Sequence, residues 1–141
     1  MPAGFSLTRM TTGTAFVLFH QPGFTLAHAR AALEAAGLPV GHGTSESGTP
    51  FLVVEDDGPA YKIYLNEDPH VPEETAEMAT GTPHAAQLTG YPQRLEVCID
   101  DLDAAFDEIN TLMGVQWALQ DATRGYLYLD WNQSLTPPWE E

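Results

Sequence analysis

Basic residues are scarce in this 141-residue chain. It holds 5 lysine and arginine residues against 20 aspartates and glutamates, which gives a formal charge of −15 at neutral pH. The bases are scattered singly, at Arg9, Arg30, Lys62, Arg94 and Arg124. Nucleic acids and anionic lipids are both bound mainly through clustered cationic side chains. We therefore expect neither a nucleic-acid nor a membrane partner. A field of this sign favours a basic protein or a cation, or serves solubility alone.

Cysteine and long apolar runs are also lacking. Cys98 is the only cysteine, so no disulfide can form within the chain. The apolar run AFVLF at 15–19 is short and follows no basic segment, unlike a signal peptide or a membrane span. These features favour a cytoplasmic location. Cys98 itself is expected on a strand, with Arg94 close enough to activate the thiol weakly.

Standard catalytic and cofactor motifs are missing from the sequence. It contains no HExxH, no cysteine pair, no G-x-S-x-G, no GxGxxG and no Walker motif. We therefore predict no catalytic residue, no cofactor and no metal site, and we do not favour an enzyme. A metal would need ligands that the fold brings together from distant positions. The candidates are His20, His70, His84 and Glu96.

The first half of the chain predicts a strand, a helix and two further strands. AFVLFH at 15–20 is typical of a strand, Thr25 is placed to cap a helix, and Gly37 is placed to end it. Residues 39–50, rich in Gly and Pro, are predicted to be a loop. FLVVE and YKIYLNE flank the turn sequence DDGPA. Residues 15–66 are therefore predicted to form a β-α-β-β unit.

The second half repeats this order after a linker at 67–93, in which VPEETAEMA predicts a short helix. Alternation over RLEVCI predicts a strand, and helical spacing follows from Asp100 until Gly114. VQWALQD and GYLYLDW are predicted strands, which completes a second unit at 94–131. The proline-containing tail at 134–141 is predicted to be extended.

The predicted elements together define an α+β fold. At 141 residues, with 43% hydrophobic and 10% aromatic content, the chain fits a single domain spanning 1–141. Two β-α-β-β units would form a largely antiparallel six-stranded sheet with two helices on one face. This arrangement is a ferredoxin-like duplication.

An acidic cluster marks the start of the second long helix. Asp100 and Asp101 lie where a helix needs a capping acceptor, and Asp103 lies in the first turn, near free amides. Asp107 and Glu108 are typical of a solvated helix face. We interpret the cluster first as structural. The outer face formed by Asp103, Asp107 and Glu108 remains a candidate surface for a basic partner.

Aromatic residues define a second candidate surface. Tyr64 lies beside Lys62 in one predicted strand, and Tyr126 and Tyr128 alternate with leucines in another. If the leucines face the helices, the tyrosines line the open face of the sheet, which could bind a ligand, pair with another subunit or simply be solvated. Trp139, in the tail, either folds back onto the domain or anchors a partner.

Two segments of the sequence are similar to those of a known family. LEVCIDDLDAAFDEINTLMGV, at 95–115, has a strand that ends in Asp and leads into D-L-x-x-A-x-x, and it resembles the strand-helix unit of the vicinal oxygen chelate superfamily. YLYLDWN, at 126–132, is similar to the strand before its D-P-x-G-N turn, without the Pro and Gly. The resemblance covers at most a quarter of the chain. It implies β-α-β-β-β units and metal binding through His and Glu, whereas only three strands per unit and no matching ligand set are found here.

Three functional hypotheses follow. The leading one is a small, acidic, cytoplasmic, non-catalytic binding protein that acts as an inhibitor or immunity-type partner of a basic protein. The first alternative is a metal- or small-molecule-binding enzyme resembling the vicinal oxygen chelate superfamily, with its site between the sheet and the middle linker. The second alternative is a self-associating structural module, in which the open sheet faces of two copies pair as a homodimer.

Overall fold

The computed structural model describes residues 12–56 and 58–138. All the strands of these residues belong to one seven-stranded sheet. The strands are β1 (Gly13–Phe19), β2 (Val40–Thr44), β3 (Pro50–Glu55), β4 (Ala60–Asn66), β5 (Gln93–Ile99), β6 (Tyr126–Leu129) and β7 (Ser134–Thr136). The helices are α1 (Leu26–Ala35), α2 (Val71–Ala79), α3 (Ala85–Leu88), α4 (Leu102–Asp107) and α5 (Ile109–Thr123). The predicted α+β class is therefore confirmed.

The two most deeply buried strands, β1 and β5, lie in the middle of the sheet. The strand order is β2-β3-β4-β5-β1-β6-β7, and every neighbouring pair is antiparallel. Val17 of β1 lies opposite both Leu95 of β5 and Leu127 of β6. Because both faces of β1 are covered, its sequence is a nearly continuous apolar run rather than a strict alternation.

Helices α1, α4 and α5 cover one face of the sheet, here called the front face. Thr25 caps α1 as predicted, since its hydroxyl accepts from the His28 amide while the His28 ring accepts from the Thr25 amide. Ala29 and Leu33 of α1 are fully buried. They pack with leucines of α5 and with the front-facing side chains of β1, β4 and β5 in the main core.

The predicted linker covers part of the opposite face, here called the back face. Its first half forms α2, as predicted from VPEETAEMA, and its second half forms α3, which was not predicted. Ala79 of α2 and Leu88 of α3 pack against Leu18 of β1 in a second, smaller core. The segment between the two units is therefore a structural layer and not only a connection.

The prediction of six strands is wrong, because β2 and β7 each lie in a segment that was predicted to lack strands. β2 occupies the predicted loop at 39–50, and its glycines have a packing reason. A Cβ on Gly43 would lie 2.7 Å from the Phe51 ring, and one on Gly41 would lie 3.2 Å from a methyl of Val53. Side chains of β3 thus lie across the bare backbone of β2. β7 forms in the tail, just before Pro137 ends it.

The predicted strand VQWALQD is also wrong, because these residues continue a helix. The helix that starts after Asp101 is interrupted at Glu108, and α5 then runs through Gly114 to Thr123. The buried side chains of α5 recur at intervals of three and four residues: Leu112, Val115, Gln116, Leu119, Gln120 and Thr123. Burial of this face outweighs the helix-weakening effect of one glycine, about 1 kcal/mol.

Other predicted elements are confirmed within a residue or two, namely β1, α1, β3, β4, α2, β5 and β6. The ferredoxin-like duplication is not confirmed. Among the residues that the structure describes, no helix has the length and apolar character needed to cross a membrane.

Candidate functional site

The acidic cluster divides into carboxylates that bond to the backbone and carboxylates that do not. Asp101 caps α4 by accepting from the Ala104 amide at 3.1 Å, and Asp100 accepts from the Ala60 amide at 3.0 Å. Asp101 therefore has the capping role predicted for it, whereas Asp100 bonds to the first residue of β4 and does not cap the helix. The carboxylates of Asp103, Asp107 and Glu108 are exposed, and none forms an ion pair with a basic side chain of the described residues.

An apolar stripe starts directly beside this cluster. Glu108 interrupts the helix at φ −117° and ψ 53°, and Ile109 is the first residue of α5. Ile109 is 43% exposed and Trp117 is 59% exposed, with the partly exposed Met113 between them. Residues four apart lie on one helix face, so these three form a continuous row, here called the apolar stripe.

Further side chains frame the apolar stripe at its two ends. Phe106, on the α4 side, is exposed and makes an edge contact with the Trp131 ring at 6.1 Å between centroids. Asp121, one turn beyond Trp117, is exposed. We call the apolar stripe together with Asp103, Asp107, Glu108 and Asp121 the α4–α5 surface.

The predicted tyrosines lie on the back face, on the other side of the sheet from the α4–α5 surface. Tyr126 and Tyr128 belong to the smaller core, where the α2–α3 layer packs. Tyr64 lies farther along the sheet, 5.4 Å from the Phe51 ring centroid. The structure therefore does not bring the predicted acids and tyrosines together into one surface. Trp139 lies outside the described residues.

A buried arginine holds the back layer to the sheet. The Arg94 guanidinium lies 2.7 Å from the Glu74 carboxylate of α2 and 2.7 Å from the Glu96 carboxylate of β5. It also lies over the Phe16 ring, 4.9 Å from the centroid. Beside it, Glu74, Glu77, Met78 and Tyr128 line a shallow cleft of about 340 Å³. The cleft is open, and two of its four lining residues are acidic.

The candidate metal ligands occupy separate places. His20 contacts the Tyr91 ring, and His84 contacts the Tyr126 ring. His70 lies 3.9 Å from Glu74, whereas Glu96 is held by Arg94 and Asn66. No group of three His, Cys, Asp or Glu residues suited to a metal ion occurs in the described part of the chain.

Two groups have raised pKa values, the half-buried Cys98 and the buried Tyr61. Burial, with a further contribution from the Glu96 charge, raises the pKa of the Cys98 thiol. Arg94 therefore does not activate this cysteine, and the thiol form is favoured at neutral pH. Burial, together with the charges of Glu108 and Asp100, raises the pKa of Tyr61 to about 12. The Tyr61 hydroxyl has no hydrogen-bond partner among the described residues.

Comparisons with protein-family models, curated proteins and solved structures gave no significant match to this chain.

Sequence reasoning missed the apolar stripe because it ended the helix at Gly114 and assigned Trp117 to a strand. A signal was present in the spacing of Ile109, Met113 and Trp117, which are separated by four residues each. A second apolar row, Leu112, Val115 and Leu119, lies beside it at spacings of three and four residues. Apolar residues on two sides of one helix indicate that both sides have something to contact.

Proposed function

We propose that this protein is a small, non-catalytic binding protein that engages a basic protein partner through its α4–α5 surface. The observation that carries the proposal is the exposed apolar stripe bordered by carboxylates without cationic partners in the described chain. An apolar centre with a charged rim is the usual anatomy of a protein interface. Tryptophan is among the residues that contribute most to binding at such centres.

Charge supports the choice of a basic partner. Asp103, Asp107 and Glu108 lie within six successive positions of a chain whose formal charge is −15. A field of one sign speeds the encounter with a partner of the opposite sign and disfavours partners of the same sign. Binding of this kind weakens as salt screens the charges. Inhibition or neutralisation of a basic protein is the role that we propose for it.

The back face supports a binding role less well than the α4–α5 surface does. Tyr126 and Tyr128 are packed beside α2 and α3, so only Tyr64 and its neighbours remain on the uncovered part of the sheet. Pairing of two such faces would bring together two chains of equal negative charge. We therefore place the partner on the front side and propose no homodimer through the sheet. Nucleic acid and membranes stay outside the proposal for the same electrostatic reason.

Two finer proposals concern fold and location. A ferredoxin-like arrangement is supported by the position of β1 between β5 and β6, which are parallel to each other and joined by α4 and α5. This is a split β-α-β unit, the element from which ferredoxin-like folds are built. A cytoplasmic location is supported by the single cysteine, which requires no oxidising environment.

The test is capture of partners from the native host lysate by the tagged protein, with elution by increasing salt and identification by mass spectrometry. A matched pair of variants makes the result specific. One variant carries Asp103→Asn, Asp107→Asn and Glu108→Gln. The control carries Glu46→Gln, Asp68→Asn and Glu73→Gln, three exposed acids outside the α4–α5 surface. Both variants change the formal charge from −15 to −12.

We expect the wild type to capture a basic protein, which the control variant also captures and the α4–α5 variant does not. The affinity of the purified wild-type protein for this partner should decrease as the salt concentration rises. Equal retention by both variants would show that only net charge matters and would contradict the proposed surface. Failure to capture any protein with the wild type would contradict the proposed function.

A further inference from the structure

We infer that the partner docks a basic amphipathic helix along the outer face of α5. This inference rests on the proposed function and adds to it the kind of element that the α4–α5 surface accepts.

The outer face of α5 has the relief that helix packing requires. Ile109, Met113 and Trp117 form a ridge of large side chains along the i, i+4 direction. The adjacent i, i+4 row is Asn110, Gly114 and Ala118, so a groove of smaller residues runs beside the ridge. A Cβ at Gly114 would make an ordinary van der Waals contact with Leu38 at 3.9 Å, so Leu38 borders this groove. A ridge beside a groove is the surface into which a second helix packs.

The nature of the surface also argues against an extended peptide. A bound strand gains its affinity by adding main-chain hydrogen bonds to a free sheet edge. The main chain of α5 is already bonded within its own helix, so it offers no such edge. An amphipathic helix needs only side-chain contacts on an apolar row, which the apolar stripe provides.

The charges set the chemistry and the length of the occupant. Glu108 precedes the apolar stripe and Asp121 follows it, thirteen positions later. At 1.5 Å per residue the two acids are separated by about 20 Å along the helix, or three to four turns. The complementary element is therefore a helix of about that length with apolar residues in its middle and Lys or Arg near both ends. A second copy of this chain would instead place acid against acid.

The test uses two synthetic peptides of about 16 residues, both made of leucine and lysine in the same proportions. One peptide places its leucines on one helical face, and the other distributes them around the helix. Affinities are measured by titration calorimetry at low and at physiological salt, and the Trp117 indole signal is followed by NMR after assignment with Trp117→Phe. The variants are Trp117→Gln, Asp103→Asn/Asp107→Asn/Glu108→Gln, and Tyr64→Gln as a control on the back face.

We expect the one-faced peptide to bind about tenfold more tightly than its isomer, to shift the Trp117 signal, and to lose about tenfold in affinity with Trp117→Gln. Tyr64→Gln should bind like the wild type. Circular dichroism and the urea midpoint establish that the variants remain folded, as expected for changes at the exposed Trp117, Asp103, Asp107 and Glu108 and at the partly exposed Tyr64.

The other outcomes overturn the inference in distinguishable ways. Equal binding of both peptides that Trp117→Gln does not weaken would show that electrostatic attraction alone drives binding. This result would refute the inferred docking of a helix but would leave the proposed function intact. Failure of both peptides alongside charge-dependent capture of a natural partner would have the same meaning. If the acidic triple variant bound the peptide as tightly as the wild type, the proposed function would be wrong, although the apolar stripe would remain a binding surface. If the free protein were a dimer and Trp117→Gln made it monomeric, the apolar stripe would be the dimer interface and the inferred helix docking would be wrong.

Discussion

Replacing Arg94 with methionine tests how the back layer is held to the sheet. The Arg94 side chain is only 8% exposed, and its guanidinium meets carboxylates from both α2 and β5. Methionine keeps much of the apolar stem over the Phe16 ring but removes the charge and its hydrogen bonds. We expect Arg94→Met to destabilise the whole domain and to loosen α2 in particular.

The expected magnitude follows from the three contacts of Arg94. The short bond to Glu96 is a charge-assisted hydrogen bond, for which about 1.5 to 3 kcal/mol is typical. The pair with Glu74, whose side chain is 44% exposed, contributes about 0.2 to 1 kcal/mol. The position over the Phe16 ring adds about 0.5 to 1 kcal/mol. The free energy of unfolding should therefore fall by about 3 kcal/mol.

Urea denaturation at pH 7 measures this loss. With a denaturant slope of about 2 kcal/mol per molar, the midpoint should fall by about 1.5 M. Glu74→Gln, which removes only the exposed pair, should cost less than about 1 kcal/mol. Hydrogen exchange should show faster opening of the α2 amides in Arg94→Met. The reasoning is refuted if Arg94→Met is no less stable than Glu74→Gln, or if α2 exchanges as in the wild type.

Three other measurements probe single buried groups. Tyr61→Phe should gain about 1 kcal/mol at pH 7, because its buried hydroxyl is unpaired among the described residues. The pKa of Tyr61 in the folded protein, about 12, lies above its ordinary value of 10.0, so the free energy of unfolding of the wild type should fall as the pH rises from 10 to 12. The free energy of unfolding of Tyr61→Phe should fall less over this range. An equal fall in both proteins, measured by urea denaturation, would contradict this. Cys98, whose pKa burial raises, should react slowly with a thiol reagent at pH 7 and faster in urea. Gly114→Ala should raise the free energy of unfolding by about 0.5 to 1 kcal/mol, because alanine favours a helix more than glycine does. Gly125→Ala should lower it, because the new Cβ would lie 2.7 Å from the Leu18 carbonyl oxygen. Equal urea midpoints of the two variants would refute both expectations.

Strand β1 and helix α1 could be predicted because local signals and tertiary packing agree there. Thr25 supplies a cap, and Ala29 and Leu33 supply the buried face. Helix α5 could not be predicted because its sequence satisfies two periods. In VQWALQD the apolar residues alternate as in a strand, yet Val115 and Leu119 also fit a helical row with Leu112. The sheet beneath them, which the local sequence does not encode, decides between the two.

Strand β2 shows a second limit of local reasoning. Two glycines in VGHGT are typical of a loop when only the segment itself is considered. In the structure they are needed because Phe51 and Val53 of the neighbouring strand approach the backbone of β2 closely. The reason for Gly41 and Gly43 therefore lies in residues about ten positions away, and it is visible only once the pairing of β2 with β3 is known.

Only part of the candidate site could be predicted from the sequence. Its charged residues were identified in the sequence, whereas its apolar residues were not. Asp101 caps α4 and Asp100 bonds to the first residue of β4, so these two acids have roles in the fold. Asp107 lies at the carboxyl end of α4, where the helix dipole disfavours negative charge. Glu108 makes no side-chain cap bond to α5, although its charge lies at the amino end of that helix, where the dipole favours it. The fold therefore gives no evident reason for Asp107, which lies two residues before the exposed Ile109. An apolar centre and a charged rim that the fold itself does not use are what a partner's surface would require.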